Sequence, residues 1–171
     1  PACEQKVLDT PAWTTISQIV SNTGVDIQET VKTLIVKGKK DKFVALVIRG
    51  DHTLNEIKAA KQKLVSAPLT MATHAEISEE LQLPVGFIGP IDLDMPVIVD
   101  NSAAHIEHFV CGANLIDKHI SNANWKRDCP NIHLADLRNV AAGDTSPCGT
   151  STLEIKRGIE VGHIFQLGDK Y

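Results

Sequence analysis

Val31-Lys-Thr-Leu-Ile-Val36, Lys37-Gly-Lys-Lys-Asp-Lys42, Phe43-Val-Ala-Leu-Val-Ile48 and Arg49-Gly-Asp-His-Thr-Leu-Asn-Glu56 follow one another without a break, and their order decides the fold class. Two apolar runs rich in branched residues flank a lysine-rich turn, which is the pattern of a β-hairpin. Thr53-Leu-Asn-Glu56 then has the spacing of a capping box, in which threonine and glutamate satisfy each other's free backbone donors. A helix is therefore expected directly after the second strand, lined by Leu54, Ile57 and Leu64. Thr73-His-Ala-Glu76 repeats the signal for a second helix, lined by Ile77 and Leu81 and stopped at Pro84. Upstream, Pro11 precedes an amphipathic stretch with Ile16, Ile19 and Val20 at helical spacing, closed by Gly24. Downstream the chain is more strand-like. Val85–Pro90 is short and bounded by glycine and proline, and Pro96–Val99 reads as a buried strand. Ala103–Phe109 has room for one or two helical turns. His108–Ala113, Ile132–Leu134 and Leu153–Phe165, the last broken at Gly158 and Gly162, complete the strand candidates. Strands and helices in this mixed order specify an α/β or α+β domain rather than a bundle or sandwich.

A chain of 171 residues suits one domain, and at that size folding buries roughly 70% of the unfolded surface. A self-sufficient core needs no metal or disulfide staple. Hydrophobic residues make up 43% and charged residues 22%, which excludes long-range disorder, while aromatics at 4% make the core aliphatic. The net charge of −4 excludes a generic polyanion binder but not a protein that touches only the end of a nucleic acid. No apolar run reaches the ~18 residues of a membrane span. Pro1-Ala-Cys-Glu-Gln-Lys6 has neither a signal-peptide layout nor an initiator Met, and the chain ends in an expected strand at Tyr171; both features predict a fragment of something longer. Cys3, Cys111, Cys129 and Cys148 are scattered with no C-x-x-C pair, so reduced thiols are expected.

Familiar phosphate-loop, nucleophile-elbow and zinc-helix motifs are absent from the sequence. His105-x-x-His108-x-x-Cys111 would share one face of a continuous helix and suit zinc. Gly112 follows at once, however, and a passage from helix into strand would part the three side chains. Lys37, Lys39, Lys40 and Lys42 suit phosphate steering or, more simply, a solvated hairpin turn that discourages edge pairing. His52, His74 and His133 fit structural positions. Asp51 and Asp100 each follow an apolar strand, a position shared by site residues and helix caps. Gly86-Phe-Ile-Gly-Pro90 forms a rigid loop whose backbone N–H groups can approach a ligand closely.

Arg157-Gly-Ile-Glu-Val-Gly-His-Ile-Phe-Gln-Leu-Gly168 with Lys170-Tyr171 closely resembles the segment by which bacterial-type prolyl-tRNA synthetases return to their class II core after a large insertion. Further words agree in order. They are Asp9-Thr-Pro11, Thr30-Val-Lys-Thr-Leu34, Arg49-Gly-Asp-His52 with Leu54-Asn-Glu56, Pro68-Leu-Thr70 and Gly86-x-x-Gly-Pro90. Gly112-Ala-Asn114, Asn124-Trp125, Ala135-Asp-x-Arg-Asn-Val140, Gly143-Asp144 and Ser146-Pro147 follow. The chain resembles the excised insertion domain, an editing module of the YbaK/ProX-like aminoacyl-tRNA deacylase family. It departs from that pattern at Asp169, where the family commonly has threonine, and at Asp117, where it has glycine.

The resemblance implies a single YbaK-like domain, with a mixed, mostly antiparallel twisted sheet flanked by helices. Residues 1–156 would be the editing domain and 157–171 the strand returning to the absent catalytic core. It implies hydrolysis of mischarged Ala-tRNA(Pro) at the aminoacyl ester, as the cis-editing domain of a proline-tRNA ligase. Two alternatives stand beside it, a non-catalytic tRNA-end-binding or structural insertion and a deacylase for Cys-tRNA(Pro). The implied catalytic set is Lys32, Gly86, Gly89, Pro90 and Asp100, with His119, Phe87, Ile88 and Gly112 binding substrate. Lys32 would hold the terminal phosphate or ribose, the loop amides the ester carbonyl, Asp100 the α-amino group, and His119 the alanine pocket. Editing would need no metal or other cofactor, ATP and Mg belonging only to the absent core. The implied partners are the tRNA(Pro) acceptor end carrying alanine and the rest of a synthetase that is homodimeric at full length. The setting would be cytoplasmic, with no membrane contact.

Overall fold

A computed structural model describes residues 4–140. The expected strand Leu153–Phe165, the returning segment 157–171, Cys3 and Cys148 lie outside the described residues.

The hairpin organises everything else. β2 (Val31–Lys37) pairs antiparallel with β3 (Phe43–Arg49) in register, from Val31 opposite Arg49 to Lys37 opposite Phe43. β3 is buried along six consecutive residues because both of its faces are covered. Phe43, Ala45 and Val47 point into one apolar cluster with Val97, Val99, Phe109 and Trp125, while Val44, Leu46 and Ile48 point into a second with Val65, Ile98 and Leu137. The period of two along a strand makes this division automatic. A strand apolar on both faces suits a central position in the sheet. β4 (Val97–Asp100) runs parallel to β3, and β7 (His133–Ala135) parallel to β4, giving the order β2-β3-β4-β7. A second, antiparallel sheet has the order β1-β6-β5, from β1 (Lys6–Asp9), β6 (Lys118–Ala123) and β5 (Phe109–Gly112). A bridge between Thr30 and Val110 brings β5 beside the start of β2. The mixed α/β architecture is the expected one, divided between two sheets.

The helices are short. α1 (Ile16–Thr23) forms over the expected amphipathic stretch and is closed by Gly24 in the left-handed conformation at φ +74°; Thr15 and Gln18 add a capping box at its start that the motifs above do not include. At Thr73 the expected box also forms, with Glu76 accepting from the Thr73 N–H and donating its own N–H to the Thr73 hydroxyl. The turn that follows, Glu76–Glu80, widens to an i→i+5 bond from Leu81 N–H to Glu76 carbonyl. The box at Thr53 does not form. α2 (Glu56–Ala60) starts two residues later on Asn55, whose side chain accepts from Lys58 N–H. Thr53 and Leu54 are taken by the chain at Arg138 and Asn139 instead: the Asn139 N–H donates to the Thr53 carbonyl and Leu54 bridges Arg138. Ile57 is consequently 70% exposed, and Ala59 is the residue buried from α2. The helical turn expected over 103–109 falls earlier, in α3 (Asn101–Ala104), and α4 (Trp125–Asp128) caps on Asn124. Among the described residues no helix is long and apolar enough to cross a membrane.

Candidate active site

A cavity of about 500 Å³ opens where the two sheets meet α1. Its walls are Thr30 with the start of β2 (Val31 to Leu34), the first turn of α1 with Thr14 and Thr15, Gly86 and Ile88 of the glycine loop, Gly112 of β5 and His119 of β6. Five of the nine residues implied by the resemblance therefore line one space: Lys32, Gly86, Ile88, Gly112 and His119. They come from segments up to 87 positions apart, gathered by the sheet pairing and by the packing of the glycine loop on β5.

The loop is held by backbone packed on backbone. Gly86 adopts φ +96°, a region open to glycine, and a Cβ there would sit 2.7 Å from the Thr14 methyl. Gly89 lies directly on Gly112, whose carbonyl oxygen would be 1.9 Å from an added Cβ. Asn114, itself at φ +59°, clamps the pair: its Oδ1 accepts from Gly89 N–H at 2.8 Å and its Nδ2 donates to the carbonyls of Gly89 and Ile91. Phe87 N–H donates to the Pro84 carbonyl. Of the loop amides, those of Gly89 and Phe87 are thus spent on the scaffold, and Pro90 has none; its carbonyl accepts the Cys129 thiol. Gly86 and Ile88 keep N–H groups with no partner among the described residues, and both residues face the cavity. Gly89→Ala should therefore cost about 1–3 kcal/mol by forcing the two backbones apart. The measurement is thermal melting, with a fall of roughly 2–12 °C expected at about 2–4 °C per kcal/mol; an unchanged melting temperature would contradict this packing.

His119 is 7% exposed. Its Nδ1 lies 2.6 Å from the hydroxyl of fully buried Thr10, and the Phe87 ring meets it edge-on at 5.6 Å. Burial holds the imidazole's pKa below its ordinary value, so the ring is neutral at pH 7. Thr10 is the residue that inspection of motifs missed. It reaches His119 because Leu8 and Asp9 of β1 pair with His119 and Lys118 of β6, and because Thr10 N–H donates to the Asp117 carbonyl. Asp117 has φ +61°, a left-handed conformation that favours glycine and that aspartate tolerates better than most residues, and its carboxylate accepts the N–H of Ala12.

Lys32 is a partly buried cation with no ion-pair partner among the described residues. Burial lowers its pKa and the carboxylate of Asp51 opposes that shift. Asp51 itself is held by a two-pronged contact from Arg49, at 2.6 and 2.9 Å, and Arg49 also reaches His52 at 3.0 Å. Asp51 and His52 accordingly brace the end of β3.

Asp100 stands apart from the residues gathered at the cavity and does not line it. Its carboxylate is buried among backbone donors, accepting from Ser102 N–H as the cap of α3 and from the N–H groups of Leu137 and Arg138 at 2.8 and 3.2 Å. A carboxylate so occupied fastens β7 and its sequel to β4. The zinc-like triplet is parted in the way Gly112 foreshadowed. His105 caps α3 with its Nδ1 at the Asn101 carbonyl, and Cys111 is buried in β5, where desolvation raises its pKa. Among the described residues no three His, Cys, Asp or Glu side chains gather to hold a metal.

The fold and cavity define a two-sheet α/β domain in which a partly buried lysine, two glycine-loop residues with unspent amides and a neutral imidazole line one cavity. The chain belongs to the aminoacyl-tRNA editing domain family, whose model matches residues 10–129. It is an aminoacyl-tRNA deacylase domain by that membership, with mischarged tRNA as its substrate class. Two solved structures share its fold. One is described as a "putative trans-editing enzyme for prolyl tRNA synthetase", with a TM-score of 0.67 at 23% identity over 79% of this chain and 87% of that one. The other is the hypothetical protein APE2540, with a TM-score of 0.67 at 23% identity over 80% and 92% of the two chains.

Proposed function

We propose that this domain hydrolyses Ala-tRNA(Pro), and does so as the insertion domain of a proline-tRNA ligase. The observation that carries the reading is the convergence of Lys32, the amides of Gly86 and Ile88, Gly112 and His119 on one cavity. The collinear words through Arg157–Gly168 support the placement in a synthetase, and the fold shared with a protein described as a trans-editing enzyme for prolyl tRNA synthetase supports the tRNA. An enzyme selecting proline cannot reject the smaller alanine by fit, since a missing methylene is worth only about 1–3 kcal/mol; a second, smaller sieve is required. A space of about 500 Å³ suits a terminal nucleoside bearing a small acyl group.

In the proposed mechanism Lys32 binds the terminal phosphate or ribose as a point charge. The Gly86 and Ile88 amides donate to the ester carbonyl and hold the negative charge that develops on it. Water attacks the carbonyl carbon, forming the new C–O bond and moving the carbonyl electron pair onto oxygen. Its proton passes by way of the adjacent ribose hydroxyl. Collapse breaks the bond to the ribose oxygen, which takes up that proton, releasing alanine and uncharged tRNA. His119, with Phe87 behind it, forms the wall that leaves no room for the prolyl ring. No step calls for a metal or other cofactor.

Deacylation assays on Ala-, Cys- and Pro-tRNA(Pro) test the reading. Ala-tRNA(Pro) should be cleaved at least tenfold faster than Pro-tRNA(Pro), with the rate unchanged by a chelator. Preferential cleavage of the cysteinyl ester would reassign the specificity. Activity lost on chelation and restored by zinc would overturn the mechanism.

A further inference from the structure

The lysines of the hairpin turn do not stand alone. Gly38 bridges Val65, Lys39 N–H donates to the Leu64 carbonyl at 3.0 Å, and Ser66 N–H donates to the Lys37 carbonyl at 3.1 Å. These bonds lay the turn 38–42 along the segment that follows α2, so exposed Lys61 and Lys63 join exposed Lys39 and Lys40 on one surface. Neighbouring lysines are already neutralised: Lys37 by Glu76, Lys42 by Glu80 and Lys58 by Asp136. Lys39, Lys40, Lys61 and Lys63 have no ion-pair partner among the described residues, with Asp41 the one acid in the turn itself. In a chain of net charge −4 this is a local excess of positive charge built from two segments more than 20 positions apart.

The patch lies at the far end of the strand that carries the cavity's cation. From Lys32 to Lys37–Lys39 is about 17–23 Å at ~3.3 Å per strand residue. At ~3.4 Å per nucleotide of a stacked strand this is roughly five to seven nucleotides. A tRNA whose terminal adenosine sits at Lys32 therefore presents duplex backbone, past its unpaired CCA end, at that distance. We propose that Lys39, Lys40, Lys61 and Lys63 form a contact surface for the phosphates of the tRNA acceptor stem. The surface reads charge and spacing, not sequence, and it gives the domain a grip on tRNA that its cavity alone lacks. The placement rests on the reading of Lys32 as the site for the terminal nucleotide.

The test is fluorescence anisotropy of the 171-residue chain with an uncharged acceptor-stem RNA hairpin between about 50 and 200 mM salt. The comparison is a variant carrying Lys39→Gln, Lys40→Gln, Lys61→Gln and Lys63→Gln, whose exposed positions leave the melting temperature unchanged. The variant should bind at least about tenfold more weakly at the lowest salt, and its plot of log affinity against log salt should flatten by about one unit per lysine. Its cleavage of an aminoacylated CCA trinucleotide, which has no stem, should match the parent's. Equal affinity and slope for the stem would overturn the proposal, as would a fall in binding to phosphatidylserine vesicles with none for RNA. The uncharged hairpin reports on the patch whichever amino acid the cavity cleaves, so failure of the Ala-tRNA(Pro) assay and failure of this one are separate results.

Discussion

Lys32→Met should lower kcat/KM for deacylation of Ala-tRNA(Pro) by roughly 10- to 150-fold. The side chain lies on β2 opposite Ile48 and reaches the cavity in a setting where burial disfavours its charge. A hydrogen bond to a charged group contributes about 1.5–3 kcal/mol, and each 1.4 kcal/mol is tenfold. The sign of the effect on stability separates a site residue from a scaffold residue. Because folding lowers this lysine's pKa, the folded state holds its charge at a cost, and removing the charge relieves that cost. Methionine keeps the unbranched apolar stem, so the variant should melt at or slightly above the parent's temperature while losing activity. Parental activity in a folded Lys32→Met protein would remove this residue from the site. A lower melting temperature would mark it as a scaffold residue.

The parts of this fold that were legible in the sequence are those decided by neighbours. The hairpin follows from two branched apolar runs, Val31–Val36 and Phe43–Ile48, about a lysine-rich turn, and α1 from the helical spacing of Ile16, Ile19 and Val20 closed by Gly24. The box at Thr53 was misleading because the competing partners, Arg138 and Asn139, lie some 85 residues away and no local pattern announces them. The same division runs through the site. The glycine loop was readable as a rigid ligand-facing turn, but which of its amides remain unspent depends on Asn114 and Pro84, and that decides between Gly86 with Ile88 and Gly89 with Phe87. Asp100 followed a strand, as site residues and caps both do. Its donors at Leu137 and Arg138, 37 and 38 positions on, give it a scaffold role that the sequence does not announce. Thr10 was present only as a letter in a recognisable word. Its bond to His119 spans 109 positions and has no signature in either segment.

That bond shapes the second large expectation, which concerns His119. Truncation to alanine should raise the ratio of Pro-tRNA(Pro) to Ala-tRNA(Pro) hydrolysis, with an effect of roughly tenfold or more, because it removes a wall. A methylene-sized difference in an apolar pocket is worth about 1–3 kcal/mol, and an imidazole is larger than that. The geometry favours a wall over a base. One ring nitrogen is committed to Thr10, the Phe87 ring packs against the imidazole in a T-shaped contact, and burial keeps the imidazole neutral. Truncation also strands the fully buried Thr10 hydroxyl, so the variant should lose about 1–3 kcal/mol of stability. The pH dependence follows from the same burial. A histidine whose folded pKa lies below its unfolded value of ~6.5 contributes stability that is complete above that value and is lost as pH falls toward the folded pKa. The parent's discrimination should therefore be flat through neutral pH and decline on acidification, as a charged ring bears the desolvation cost of its buried position. The variant should show neither the discrimination nor its acid limb. A general base behaves otherwise: its removal typically costs 10²–10⁴-fold in rate. If the two hydrolysis rates fell together by that amount, and the pH dependence of the rate itself vanished with the imidazole, His119 would be the base and not the sieve.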